Sequence, residues 1–184
     1  LENYELDVVT RHGKSLSLLL SVEPLQLDNE QHWLIYLKDV TEKKSAEKKL
    51  SESENRLRTI LDTEPECVKI IDKNGELTYI NPAGLAMLEA DDFEMVKGRK
   101  VLSNIHEQYL KEFYKLVTYV FSGTPAKMEY EITGFKGTHR RMETHMVPLR
   151  DAANNIDSLL SVTRDISERK KSEVAVNKAI ERYE

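Results

Sequence analysis

A single cysteine, Cys67, stands among 184 residues, so no intrachain disulfide can form. It has no second thiol or nearby histidine at metal-ligand spacing, which points to a reducing, cytoplasmic setting. Long apolar runs are also missing. Stretches such as Leu16 to Val22 are interrupted by serines and fall far short of the roughly 18 residues a spanning helix needs, so no membrane contact is expected. Residues 1–20 carry no basic region ahead of a continuous apolar core; no signal peptide is expected, and the chain reads as cut from a longer one. The 27 Lys and Arg are scattered among 32 Asp and Glu, for a net charge of −5. With no basic stripe for phosphate backbones, no nucleic-acid partner is expected. Catalytic patterns are absent as well: His12, His32, His106, His139 and His145 show no HExxH spacing, and no glycine-rich phosphate loop is present. The fragment is therefore expected to be no enzyme.

What the chain does have is an internal repeat, and a repeat fixes architecture before local propensity does. Gly13 and Gly137 lie 124 residues apart, as do Pro24-Leu25 and Pro148-Leu149. Asp39-Val40-Thr41-Glu42-Lys43-Lys44 matches Asp165-Ile166-Ser167-Glu168-Arg169-Lys170 at a spacing of 126. The two extra residues fall around Ala152 to Asn155, where a polar hairpin loop absorbs them. Residues 1–41 thus correspond to the end of a unit of about 125 residues whose first half is missing.

Each copy closes with three segments of strand character: Tyr4 to Arg11, Lys14 to Leu27 and His32 to Asp39, then Lys127 to Phe135, Thr138 to Arg150 and Ile156 to Asp165. Met128, Tyr130 and Ile132 alternate with polar neighbours, as do Met142, Thr144 and Met146, which buries one face of an antiparallel meander. The complete second copy opens with Cys67 to Asp72 and Leu77 to Asn81 around an Asn74-Gly75 turn, a hairpin signal. Pro82 after Asn81 suits a helix start, and Ala83 to Ala90 has short-helix spacing. Tyr109 to Phe121 places six apolar residues at helical spacing and closes at Ser122-Gly123.

That order, with Asp72-Lys73-Asn74-Gly75-Glu76-Leu77-Thr78-Tyr79-Ile80-Asn81-Pro82-Ala83 and the two Asp-x-Ser/Thr-Glu end motifs, closely resembles a PAS domain of sensor kinases and second-messenger regulators. The resemblance covers roughly residues 55–170. It implies an α+β fold: a five-stranded antiparallel sheet with helices on one face enclosing a small cavity, preceded by a three-stranded half domain and a linker helix. The expected division is residues 1–41 for the half domain, 42–62 for the linker helix, 63–166 for the complete domain and 167–184 for an exit helix. By the same likeness Asn81 caps the helix after it and ties it to the sheet, and Gly98 lets the chain turn between short helices.

Flavin and haem signatures are both missing. The light-sensing members carry a reactive cysteine in the stretch matching Gly98 to Ile105, and none is here. The oxygen-sensing members place a histidine on the long helix, which has none; His106 stands just before it, and an exposed helix-start residue is the plainer reading. No cofactor is expected, while an unidentified small-molecule ligand stays open. Lys69, on the first strand between Val68 and Ile70, shares a face with Cys67 and Ile71. If that face looks into the cavity, the ammonium favours an anion such as a carboxylate, because a buried charge demands a partner; if outward, Lys69 is an ordinary solvated residue. Arg99 is a second candidate for holding an anion, and Ile71, Ile80, Tyr130 and Met142 complete the candidate lining. His139, Arg141, Glu143 and His145 share the opposite, solvated face of their strand.

Residues 42–62 place Ala46, Leu50, Leu57 and Ile60 or Leu61 on a sparse apolar seam, and Val176, Ala179 or Ile180, and Tyr183 repeat the pattern after the domain. Neither helix is stable alone, so pairing in a homodimer coiled coil is expected. Ser167 and Thr41 are expected to cap these helices with their hydroxyls, and with Asp165 and Asp39 they form the junction that relays a signal to a downstream effector domain of the same chain, such as a histidine kinase. The competing reading is a ligand-free dimerisation and spacer module whose cavity is filled by Met87, Met142 and Met146.

Overall fold

The computed structural model describes residues 2–98 and 101–180, and the chain divides into two compact units, residues 1–58 and 59–184. In the first unit, strands β1 (Glu2–Val9), β2 (Ser15–Leu27) and β3 (Glu30–Asp39) form an antiparallel sheet in the order β1-β2-β3. Asp28 and Asn29, at φ 49° and 65°, make the two-residue turn between β2 and β3, a left-handed geometry that Asp and Asn tolerate. Helix α1 (Thr41–Thr63) then begins; it has no buried residue, and Leu50, Leu57 and Ile60 are each more than half exposed. Its lysines and glutamates pair along its own surface, Lys43 with Glu47 at 3.8 Å and Lys48 with Glu52 at 3.9 Å.

The second unit contains β4 (Cys67–Asp72), β5 (Leu77–Ile80), α2 (Pro82–Leu88), a 3-10 turn (Val101–Asn104), α3 (Glu107–Phe121), β6 (Ala126–Thr133), β7 (His139–Arg150), β8 (Ile156–Asp165) and α4 (Ser167–Ile180). Its five strands pair antiparallel in the order β5-β4-β8-β7-β6, with α2 and α3 packed on the core face. Aspartates set two of the turns. The Asp72 carboxylate accepts the N–H groups of Asn74 and Glu76 at 2.9 Å each, with Gly75 at φ +81° between them. Asp151 likewise accepts from Ala153 and Asn155 at 2.9 Å, and this longer loop, with a register shift at Leu149/Arg150, takes up the extra residues of the second copy.

Alternation places Met128, Tyr130 and Ile132, then Met142, Thr144 and Met146, then Leu159, Ser161 and Thr163 on the buried face of β6, β7 and β8. From above, α3 sends down Phe113 and Val120, and the Phe113 ring meets Tyr130 edge-on at 5.3 Å. Each such large side chain contributes about 1.5–3 kcal/mol by leaving water. Closest approach is at Gly84 of α2, where a Cβ would stand 2.5 Å from Ile80 Cγ1 and 2.7 Å from Cys67 Sγ. Only hydrogen fits there, which brings α2 down onto β4 and β5.

Candidate functional site

Two places in the second unit combine polar groups with the core: a small interior cavity, and the join between β8 and α4. The cavity lies between the sheet and its helical cover. Its volume is about 40 Å³, enough for water, and its wall includes Cys67, Lys69, Met87, Asn104, Tyr130 and Met142. The face question for Lys69 is answered inward: its side chain is buried, with Nζ 3.4 Å from the Tyr130 hydroxyl. Among the described residues no carboxylate lies within ion-pairing distance of it. Burial is the largest influence on the ammonium and disfavours its charge; the neighbouring Tyr130 and Cys67 act the other way and leave its pKa raised. Burial pushes the Cys67 thiol up and keeps it neutral.

Of the other candidate lining residues, Tyr130 and Met142 reach the cavity, but Ile71 and Ile80 do not. Ile71 sits level with Leu159 farther along β4, and Ile80 is held beneath Gly84 of α2, so both are core residues. Arg99 lies outside the described residues, and Gly98 turns the chain just before it at φ +65°. Met87 lines the cavity with Met142, whereas Met146 is buried in the core without reaching it. Next to this chamber is a feature that alternation alone did not single out, a closed triangle of hydroxyls. Thr144 Oγ1 lies 2.8 Å from Ser161 Oγ and 2.9 Å from Thr163 Oγ1, all three buried. The clue in the sequence was three hydroxyl residues at inward positions among methionine and leucine.

Asn81 is the polar anchor of the domain and is fully buried. Its Oδ1 accepts Val68 N–H at 2.9 Å and, as the N-cap of α2, Gly84 N–H at 3.0 Å. Its amide nitrogen donates toward the carbonyls of Leu61, Glu64 and Glu66 at 2.9 to 3.1 Å. One side chain thereby joins the end of α1, β4 and α2, and its carboxamide is fully used.

Glu89 does similar work at the other end of α2. In the left-handed conformation at φ 60°, it accepts the N–H groups of Lys136 at 2.9 Å and Thr138 at 3.2 Å and the Thr138 hydroxyl. The Thr138 hydroxyl, with those backbone donors and Arg140, lowers the Glu89 carboxyl's pKa against the opposing effect of burial. This clamp between α2 and the β6–β7 turn was invisible in the sequence.

At the strand-to-helix join the hydroxyls do not cap their own helices as expected. Ser167 Oγ instead accepts the Arg141 N–H of β7 at 2.9 Å, and Thr41 Oγ1 accepts the Ser17 N–H of β2 at 2.8 Å. The reason is geometric: β8 stops at Asp165, Ile166 N–H bonds the Arg141 carbonyl at 2.8 Å, and the next β7 donor finds only the serine hydroxyl. The carboxylates take up the helix-start N–H groups, Asp165 that of Ser167 and Asp39 that of Thr41, each at 2.9 Å. The Thr41 side chain first, and its backbone N–H second, lower the Asp39 pKa by hydrogen bonding. Outward from the join, Arg169 and Lys170 of α4 pair with Glu143 at 3.2 Å and Glu129 at 3.0 Å on the outer sheet face.

His106 is not the exposed residue expected. It is half-buried, with Nε2 2.8 Å from Thr133 Oγ1, which in turn lies 3.0 Å from His139 Nδ1. Arg141, Glu143 and His145 share the outer face of β7 with His139, as the alternation predicts. Among the described residues no group of three or more His, Cys, Asp or Glu is placed to hold a metal ion, and no helix is long and apolar enough to cross a membrane.

A five-stranded antiparallel sheet in this order, with a helical layer closing one cavity and a helix leaving the last strand, is a small α+β domain built to surround its own interior. The PAS fold family matches residues 55–166, and the chain belongs to it. Among curated proteins, Sporulation kinase A of Bacillus subtilis is 24% identical over 164 residues, covering 88% of this chain and 26% of that protein. Methanogenesis regulatory histidine kinase FilI of Methanothrix harundinacea is 28% identical over 134 residues, covering 73% of this chain and 15% of that protein. The chain thus spans about a quarter of the first and about a seventh of the second. Among solved structures, the PAS domain of an HTR-like protein from Haloarcula marismortui superposes with a TM-score of 0.58 at 24% identity, over 67% of this chain and 99% of that one.

Proposed function

We propose that the second unit is the sensory and relay domain of a longer signalling protein of the histidine-kinase kind. A small organic anion of the carboxylate class binds beside Lys69, and the Asp165–Ser167 join passes the change to α4 and to an effector C-terminal to it. The domain itself does no catalysis; chemistry belongs to the effector, and two copies of the chain pair through their helices. The observation that carries this reading is the Lys69 ammonium, with three donors buried at the cavity wall and, among the described residues, one long bond to Tyr130. A buried cation without an anion is costly, and a ligand carboxylate relieves that cost. Both curated relatives are named as kinases, which supports the effector class.

A second reading, the ligand-free dimerisation and spacer module, has one observation in its favour. The cavity of about 40 Å³ is well below the several hundred cubic ångströms that small-molecule sites occupy, so a ligand requires the Met87 and Met142 side chains to move aside. Native mass spectrometry of the purified chain, with and without a panel of mono- and dicarboxylates, separates the two. An adduct retained by the folded chain and lost on denaturation supports sensing. A clean dimer that no carboxylate loads or stabilises against heat supports the spacer.

A further inference from the structure

The three strands of the first unit repeat the last three of the second in register. Leu6 faces Leu18 and Leu20 faces Leu37, as Tyr130 faces Met142 and Thr144 faces Thr163. The offset is 124 residues in the first two strands and 126 in the third. The environments differ sharply. Trp33, Ile35 and Leu37 are 62%, 59% and 54% exposed, whereas their counterparts Leu159, Ser161 and Thr163 are 0%, 0% and 1% exposed. β3 is also a sheet edge, while its counterpart β8 is flanked by β7 and by β4, which pairs across Ser158 to Thr163.

We propose that this face and the β3 edge are a docking surface for a strand and a following amphipathic helix from the same polypeptide, N-terminal to residue 1. The strand pairs antiparallel with β3 over His32 to Leu37, the span obtained by subtracting 126 from the β4-paired part of β8. The helix lies across Leu6, Leu20, Trp33 and Ile35 with apolar residues facing them. Three observations select this occupant. In the second unit every covering element lies in the 59 residues between the starts of β4 and β6 (126 − 67), on the N-terminal side of the three-strand meander. The face to be covered carries no charged side chain at these positions, so its cover is apolar there. Both curated relatives extend well beyond the matched region, so chain of the needed length is ordinary in such proteins. A bare edge and a bare apolar face on one sheet also invite aggregation unless covered.

The test is amide hydrogen exchange of residues 32–37 in the full-length protein against the 184-residue chain, with light scattering to count chains. Exchange at least about 10-fold slower in the full-length protein, at a rate independent of concentration, supports the proposal. Ile35→Lys in the full-length protein should abolish that protection and leave residues 67–165 unchanged, whereas Tyr36→Lys, on the opposite face of β3, should preserve it. Equal exchange in the two chains overturns the proposal. So does protection that appears in the 184-residue chain as it dimerises, which would make a second copy the occupant.

Discussion

The Ser167 hydroxyl accepts the Arg141 backbone N–H at 2.9 Å, and in the first unit Thr41 accepts the Ser17 N–H at 2.8 Å. In both units the first helical residue after the last strand thus completes the ladder of the strand beside it. Ser167→Ala removes the acceptor, strands a part-buried donor, and should cost about 1–2 kcal/mol. Ser167→Thr restores the residue type of the first unit and should be nearly neutral. Urea midpoints at unchanged slope, with exchange of the Arg141 amide, check both; full amide protection in the alanine variant would refute the role.

Asp165 holds the same join from the other side, accepting the Ser167 N–H at 2.9 Å and its hydroxyl at 2.5 Å. Asp165→Ala should leave the cavity intact and loosen the start of α4. In the full-length protein the expected result is an unchanged ligand response of the domain, read as thermal stabilisation, with loss of coupling to effector output. A full-length variant that still responds normally excludes the join as the relay.

Asn81 makes five hydrogen bonds with one carboxamide, so replacement in either direction fails. Asn81→Ala leaves two donors and three carbonyls without their partner and should cost about 3 kcal/mol or more. Asn81→Asp keeps the two acceptor bonds but turns an oxygen toward the carbonyls of Leu61, Glu64 and Glu66, and should be no better. Thermal unfolding of the two variants tests this; an aspartate variant as stable as the parent would show that the three carbonyl contacts contribute nothing.

The parts of this molecule that could be read from the sequence are those where alternation is clean. β6, β7 and β8 bury every second residue, so their inward faces, down to Met142 and Thr144, follow from spacing alone. Lys69 could not be oriented that way because Cys67, Val68 and Lys69 are buried in succession, and a stretch buried on both faces has no alternation to read. The join was misread for another reason: a serine at a helix start looks the same whether its hydroxyl serves its own helix or a neighbouring strand. Glu89 gave no signal at all, since a glutamate in a left-handed cap has no sequence signature.

The Glu89 clamp makes the domain sensitive to acid. Because hydrogen bonds from Thr138 and Lys136 lower the Glu89 pKa in the folded state, its contribution is fully present above the ordinary glutamate range of about 4.3 and is lost as pH falls through its own lower value. Glu89→Gln should flatten the dependence of the unfolding midpoint on pH in that acid window and leave the slope near pH 7 unaltered. An unchanged acid profile in the glutamine variant would remove Glu89 from the account.

Lys69 decides between sensing and spacing, because the two readings demand different behaviour from one substitution. Lys69→Met replaces a buried ammonium, bonded among the described residues only to the Tyr130 hydroxyl at 3.4 Å, with an apolar side chain of similar length. Removing the buried charge should stabilise the ligand-free domain by about 1 kcal/mol or more, seen as a higher urea midpoint at unchanged slope. If the cavity takes a carboxylate, the same variant should lose the thermal shift that carboxylates give the parent chain, while Tyr130→Phe, which keeps the cation, should retain most of it. A stabilised variant from a parent that no carboxylate shifts would mean that the cation is a cost the fold carries without a ligand, and the spacer reading would stand.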